Sequence, residues 1–499
     1  APGCISASLL ARLMRASGPE EVLSVIRKAG GGKSSGHDGV DIDLWKLITS
    51  AKEAGLEEGE HTSSLLVLTK IINCCFELRT VPPTLKLGWI TMVPKVKQDG
   101  SFSSDPADMR PITVLPELGK ISSRILARRI DCVLVREPGL LSPAQRGFQM
   151  DGYTSQCTDT IIDILEDWHQ YRNADPIFVV SYDQSKAYDS VQEYTIRASL
   201  ERFNMPESFI MYVTSCLHDA QSRVRTAGVL TKPFQVKSGV RQGDPLAPLI
   251  YALVTDALHE GLRENPLFPD APPDGYMMYP SSRFDVVTPI PSCGYADDSL
   301  TVSTSVDGVC RLHAWIREFF GAHAGALNCD KSVLMCHSVA PGTRLPHLPS
   351  VEGTEPITPV GPGHTARYLG LWLNINLCWD TQVARMDRSV RAVCSSIRQN
   401  RFTLPMSRLA VEQFLLPRLR MGLESADIPP RVINDWDNRV RRSVLAAAEI
   451  SMGRSLPLDH FYERSTIPRI ADHVWAIRGE EMMVRIGSEC PASHTARTR

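Results

Sequence analysis

Residues 294–300 read GYADDSL. Asp297 and Asp298 stand side by side, and the run that follows, LTVS, turns apolar again. Adjacent carboxylates repel, so the pair needs either open water or a counter-charge. A solvated hairpin turn meets the first need. A divalent-cation site meets the second, because Mg2+ reverses the sign of the local electrostatics. A two-metal phosphoryl-transfer site draws carboxylates from separate elements onto ions about 3.5–4 Å apart. The two readings are separated by whether another acid ends a buried strand elsewhere in the chain.

SYDQSKAYDSV (181–191) offers one. PIFVVSYD (176–183) is a continuous β-rich apolar run after a break at Asn173–Pro176, which predicts a buried strand ending at Asp183. An ionised Asp there is expensive unless paired. Taken alone, Asp183 reads as a helix cap or turn residue. With GYADD downstream, it reads as the missing third carboxylate.

The rest of the chain sets bounds. Its 499 residues are 43% hydrophobic, enough for several subdomains and a large core. The net charge of −2 points to no particular partner. Thirteen scattered cysteines, with Cys74–Cys75 adjacent and no CxxC, suit reduced thiols in a nuclear or cytoplasmic protein. Cys490 and His494 supply half of a zinc-ligand spacing with no second pair nearby. GGGKSSG (30–36) lacks the glycine a phosphate-binding loop requires, since Arg27 stands there. The apolar run at 245–258 contains Asp256 and is too short to span a bilayer; no secretion signal is evident. The chain opens on Ala1, as a fragment or processed product would.

Periodicity predicts a buried helix over 61–80, a strand at WITMVPK (89–95), a helix over 119–130 and a helix over 194–203. QSRVRTAG and KPFQVKSG read as a hairpin, PLAPLIYALVTDALHEGL as a helix with Pro in its first turn, and SCGYADDSLTVS as strand–turn–strand. A helix is expected over 307–325. Residues 265–292 carry seven prolines and read as a loop insertion, as do 340–363. From 381 onward the pattern is helical: Val383, Met386, Val390, Val393 and Ile397 form one face, with Arg385, Arg388, Arg391 and Arg398 off it. Residues 381–448 hold twelve arginines against six acids. That excess is either a solvated helix face or a groove for a phosphate backbone.

Seven segments in order resemble those of a reverse transcriptase of the non-LTR retrotransposon type, over about residues 30–450. They are MVPKVKQDG…DMRPITVLPELGKISSRILARRI (92–130), LSPAQRGFQMDGYTSQC (141–157), SYDQSKAYDSV, SGVRQGDPLAPLIYAL (238–253), GYADD, ALNCDKS (326–332) and YLGLWLN (368–374). The resemblance implies an α/β right-hand polymerase fold: fingers, a palm with an antiparallel sheet backed by helices, and a helical thumb. It implies an N-terminal extension at 1–60, fingers at 61–175, palm at 176–375, thumb at 376–480 and a tail at 481–499. It implies RNA-directed DNA synthesis from a DNA or RNA primer on an RNA template with dNTPs, no membrane, and two Mg2+ ions for which Mn2+ could substitute. Asp183 and Asp297 would bridge the ions, with Asp298 peripheral. Lys95 and Arg110 would hold the triphosphate, and Gln242 and Gly243 would contact the incoming nucleotide. Tyr188 would exclude a ribose 2′-hydroxyl. Lys331 would protonate the leaving pyrophosphate, as one reading, or face solvent, as the other. Tyr368, Leu369 and Gly370 would form the primer grip, and Arg385, Arg388 and Arg391 would hold the duplex backbone.

The sequence departs from that pattern in the long Pro-rich stretch and in Tyr rather than Phe at 188. No endonuclease segment is expected in it. A group II intron-type enzyme is a rival reading, for which 450–499 is short of a maturase domain. A catalytically inactive RNA-binding scaffold is a second rival, against which the intact Asp183, Asp297, Asp298, Lys95, Arg110 and Gln242 argue.

Overall fold

The computed structural model describes residues 7–57, 60–95, 102–136, 140–148, 152–226, 228–278, 289–322, 325–350, 356–449, 458–474 and 476. The Cys490–His494 pair, the expected tail and the centre of the Pro-rich stretch lie outside them.

The strand Ile177–Tyr182 is central to a five-stranded sheet. Antiparallel neighbours flank it, Asp298–Ser303 on one side and Val333–His337 on the other; Ser292–Tyr295 and Pro359–Val360 complete the sheet. Side chains on a strand alternate faces. Phe178, Val180 and Tyr182 accordingly join one apolar core, while Ile177 and Val179 join another. That two-sided burial is why this segment is a continuous apolar run rather than an alternating one. Helices Glu193–Arg202, Glu207–Leu217, Ala247–Glu264 and Val306–Ala322 contribute to the first core. Helix Thr154–Tyr171 and the hairpin Ala366–Tyr368/Leu371–Leu373 contribute to the second.

A second sheet is built on Gly88–Pro94, paired antiparallel with Met109–Val114 and parallel with Gln221–Thr226. The predicted hairpin is present here in part: Gln221–Thr226 pairs with Val229–Leu230 and with Phe234–Gln235. The N-terminal helix Pro19–Lys28 shares the first core with Ser63–Glu77 and Glu117–Arg136. Arg129 fastens it. Its guanidinium donates to both Glu21 carboxylate oxygens (2.9 and 2.7 Å) and to the carbonyls of Leu13 and Arg15. Residues Met386 to Val474, from helices beginning with Asp380–Gln399, form a third core of their own.

Three expectations are corrected. Helix Ser63–Glu77 is not buried all round: Leu66, Val67 and Ile71 face outward, and Leu78 just beyond is 70% exposed. Apolar content alone does not say which face finds a partner. The 340–363 stretch contains the paired strands Leu348–Pro349 and Pro356–Ile357. The described part of the Pro-rich stretch is anchored rather than looped out. Tyr276 is fully buried, bridges to Ile290, and donates its hydroxyl to Asp167 at 2.7 Å. Asp274 accepts a bidentate pair from Arg311.

Replacing Tyr276 with Ala removes a core aromatic, so we expect a loss of about 3–5 kcal/mol in urea unfolding. A shift in midpoint equivalent to under about 1 kcal/mol would show that this stretch does not belong to the core.

Candidate active site

The register of the central sheet sets the geometry. Tyr182 pairs with Ser299, the last pair between those strands. One step further, Asp183 leaves the end of its strand opposite Asp298. Tyr295 pairs with Asp298, so Ala296 and Asp297 form a two-residue turn. Ala296 has φ of +60° and Asp297 is not left-handed. That sign pattern belongs to the type II′ hairpin, where glycine is usual. Alanine in this conformation costs about 1–2 kcal/mol, so something must hold it.

The three carboxylates feel one another. Burial raises the Asp183 pKa, Asp297 adds to this, and Lys331 and Lys95 oppose it. Asp298 is exposed at the surface, with protein atoms gathered around it. Burial, then Asp297 and Asp183, push its pKa up to about 6, and Arg367 pulls the other way. The Asp183 backbone is pinned by Ser332, whose Oγ accepts its N–H at 3.0 Å, and by Asn328, whose N–H donates to its carbonyl at 2.8 Å. The loop that carries Lys331 is therefore bonded to the Asp183 backbone itself.

Three oxygen-donor side chains that repel each other suit a hard divalent cation. Among the described residues no three such side chains enclose an ion by themselves.

Tyr188 is half-buried. Its ring stacks on Tyr251 (4.7 Å between centroids, 10° between planes) and meets Phe148 edge-on at 6.3 Å. Tyr251 is fixed in turn by its hydroxyl, which donates to Gln184 Oε1 at 2.6 Å. Nothing in the sequence distinguished Tyr251 from the other apolar residues of its helix.

Lys95 and Arg110 are exposed at one end of the same strand pair, in which Arg110 opposes Val93 and Lys95 follows Pro94. Of the two, only Lys95 acts electrostatically on Asp183. Gly243 has φ of +128°, and a Cβ there would lie 2.2 Å from the Thr113 carbonyl oxygen. The close backbone approach that requires glycine is thus to the neighbouring strand. The Gln242 carbonyl accepts the Thr113 N–H at 2.7 Å.

The expected primer grip divides. Leu369 and Gly370 (φ +49° and +93°) make a type I′ turn, with Gly370 exposed. Tyr368 is buried, and its hydroxyl donates to the Cys293 carbonyl at 3.3 Å. It anchors this hairpin to the catalytic one and leaves surface contacts to its neighbours. Arg367, not anticipated, pairs across the hairpin with Trp372, on which the Arg385 guanidinium stacks at 4.4 Å. Burial, Arg388 and Arg367 together lower the Arg385 pKa. A line of positive charge therefore runs from Asp298 to the helix Asp380–Gln399. Arg391 is instead held by Asp387 at 2.6 Å.

The chain matches the reverse transcriptase (RNA-dependent DNA polymerase) family over residues 93–373, more than half its length, and belongs to that family. The right-hand polymerase fold is this family's. Similar proteins include the Pol polyprotein of the type-1 retrotransposable element R2 of Popillia japonica, 27% identical over 82% of this chain and 56% of that one. A probable RNA-directed DNA polymerase from the transposon X-element of Drosophila melanogaster is 25% identical over 85% of this chain and 44% of that one. These are elements of the non-LTR type. The chain spans about half the length of these relatives. Among solved structures, an apo telomerase from Candida tropicalis overlaps 63% of this chain and 59% of its own, at 13% identity and a TM-score of 0.39, too loose to add to the assignment. No helix among the described residues is long and apolar enough to cross a membrane.

Tyr188 is packed against two rings and is only partly exposed. A gate and a core residue differ in what they change. If a 2′-hydroxyl overpacks this ring at about 1–3 kcal/mol, Tyr188→Val should raise ribonucleotide over deoxynucleotide insertion about ten- to two-hundredfold. An unchanged sugar ratio in folded mutant protein, with both activities reduced alike, would assign the ring to packing alone.

Proposed function

We propose that the protein copies RNA into DNA by extending a primer 3′-end, in the manner of target-primed retrotransposition. The observation that carries this is the convergence of Asp183 with Asp297–Asp298 at the open end of a two-stranded ladder, in a member of the reverse transcriptase family. In this reading Asp183 and Asp297 hold two Mg2+ ions, Asp298 contributes charge from the edge, and Mn2+ can substitute. The ions, when bound, lower the pKa of the primer hydroxyl and neutralise the triphosphate.

The chain's own residues then have separate tasks. Lys95 and Arg110 hold the triphosphate oxygens; a guanidinium fork suits two of them at once. Tyr188, backed by Tyr251, lies beneath the deoxyribose. Gln242 and Gly243 border the nucleotide from the other side. As the 3′-hydroxyl gives up its proton to water, its oxygen bonds to the α-phosphorus and the bond to the pyrophosphate oxygen breaks; in this reading Lys331 gives that oxygen a proton from Nζ. Gly370 and its turn, with Arg367, meet the primer terminus, and Arg385 and Arg388 meet the phosphate backbone beyond it. Fingers (61–175), palm (176–375) and thumb (376–480) follow from this assignment, with 1–60 as an N-terminal extension.

Primer extension with Mg2+ on RNA and DNA templates tests the proposal. Asp183→Asn and Asp297→Asn should each abolish extension while template–primer affinity changes less than about threefold, since charge for the ions is needed only in the chemical step. Asp298→Asn should be milder. Near-normal extension by either of the first two mutants would remove the site assignment.

The arginines make a graded prediction. Arg385→Ala and Arg388→Ala should each weaken duplex binding and lower its logarithmic salt slope by up to about one unit for each phosphate left without its cation. Arg391→Ala should do less, because Asp387 already engages that side chain. Equal effects from all three, or an unchanged slope, would place the backbone contact elsewhere.

A further inference from the structure

The turn that presents Asp297 and Asp298 is held from behind by one side chain. Gln145 is fully buried and lies 151 residues from the turn. Its Oε1 accepts the N–H of Ala296 at 3.0 Å, and its Nε2 donates to the carbonyl of the same residue at 3.3 Å. The carboxamide thus spans both backbone groups of the one residue with positive φ, in the way a neighbouring strand would. The remaining bonds of Gln145 hold it rigid. Nε2 also donates to Thr255 Oγ1 at 2.9 Å, and Oε1 also accepts the Gly147 N–H at 2.8 Å.

The surroundings are built to the same end. The backbone on either side of Gln145 bonds to the catalytic hairpin: Arg146 N–H donates to the Gly294 carbonyl at 2.9 Å, and Gly294 N–H donates to the Ala144 carbonyl at 2.8 Å. A Cβ at Gly147 would lie 2.2 Å from the Ala296 nitrogen, so glycine alone permits this approach. One turn of the helix Ala247–Glu264 supports the assembly from below. Thr255 holds Gln145. Asp256 accepts the Ser142 N–H at 2.6 Å. His259 fills the space where Gly294 has no side chain and bonds Ser292 Oγ at 3.0 Å.

We infer that Gln145 is a positioning residue for the polymerase reaction: its carboxamide holds Ala296 in the left-handed conformation and so sets where the Asp297 and Asp298 carboxylates stand. This rests on the site reading above. Two groups are required of the side chain, an acceptor for the Ala296 N–H and a donor for its carbonyl, and only a carboxamide of this length supplies both. Glutamate matches the shape and lacks the donor when ionised. Alanine lacks both.

The test is a double-mutant cycle between Gln145→Ala and Ala296→Gly, with Gln145→Glu as the isosteric control, read by primer-extension kinetics and by thermal unfolding. Gln145→Ala and Gln145→Glu should each lower kcat at least tenfold, with KM for dNTP and the template–primer Kd within threefold of wild type. Glycine takes a positive φ without strain. Ala296→Gly should therefore raise kcat at least threefold in the Gln145→Ala background and change it by less than that in the wild-type background, where the carboxamide already holds the turn. The unfolding midpoint should show the same non-additivity, which needs no activity. A loss in Gln145→Glu shared equally by kcat, KM and Kd, or an Ala296→Gly effect of the same size in both backgrounds, would overturn the inference. If Gln145→Ala does not fold, its failure to be restored by Ala296→Gly overturns it as well. A wild-type chain that extends no primer would instead undo the functional reading, while the unfolding cycle would still decide whether Gln145 holds the turn.

Discussion

Like charges are gathered here at the end of a ladder, and the ladder must bear the repulsion. Beyond burial, Asp297 raises the pKa of Asp183, and Asp297 and Asp183 raise that of Asp298. Nothing in their own chemistry keeps them together in the absence of cations. What does so is the register between Ile177–Tyr182 and Asp298–Ser303, with five consecutive residue pairs from Phe178↔Ser303 to Tyr182↔Ser299. A slip of one residue would turn Phe178, Val180 and Tyr182 into the other core and move Asp183 off its partners at once. Structural register and chemical competence are therefore one constraint. Burial on both faces of the central strand makes the wrong register costly enough to exclude.

The same economy shows in the side chains around the acids. Tyr188 and Tyr251 stack, and Tyr251 is tethered to Gln184, next to Asp183 in sequence. Tyr368 ties the hairpin at 366–373 to the catalytic hairpin. Arg367, opposite Trp372, carries positive charge to the acid that most needs it and towards Arg385. Through these contacts the elements bearing the acids, the helix Ala247–Glu264 and the hairpin at 366–373 are parts of one packed body.

What could be read from the chain follows from the range of the interactions. The strand ending at Asp183, the acid turn and the helix face from Met386 to Ile397 are encoded in residues next to each other, and their periodicity exposes them. The hold of Gln145 on Ala296 links residues 151 apart: the segment 141–157 resembles a family motif, but nothing local in it says which distant backbone the glutamine meets. The burial of Tyr276 was hidden because prolines suppress periodicity without preventing a single aromatic from reaching a core. Leu66, Val67 and Ile71 misled in the opposite way, since their apolar character says nothing of which face is covered. Tyr368 carried a motif's implication of surface contact, and the fold uses it as an anchor.

The loop at 241–243 is stitched to its surroundings at three points. Arg241 donates to the Lys86 carbonyl at 2.6 Å and to the Cys216 carbonyl at 3.0 Å, and the Gln242 carbonyl takes the Thr113 N–H at 2.7 Å. Gly243 sits against the same strand with no room for a side chain. This loop leads directly into the helix Ala247–Glu264, which lies behind the acid turn. The end of the sheet bearing Lys95 and Arg110 is thereby joined, through bonds already made at Thr113, to the helix behind Asp297, so that a displacement of either is shared by the other.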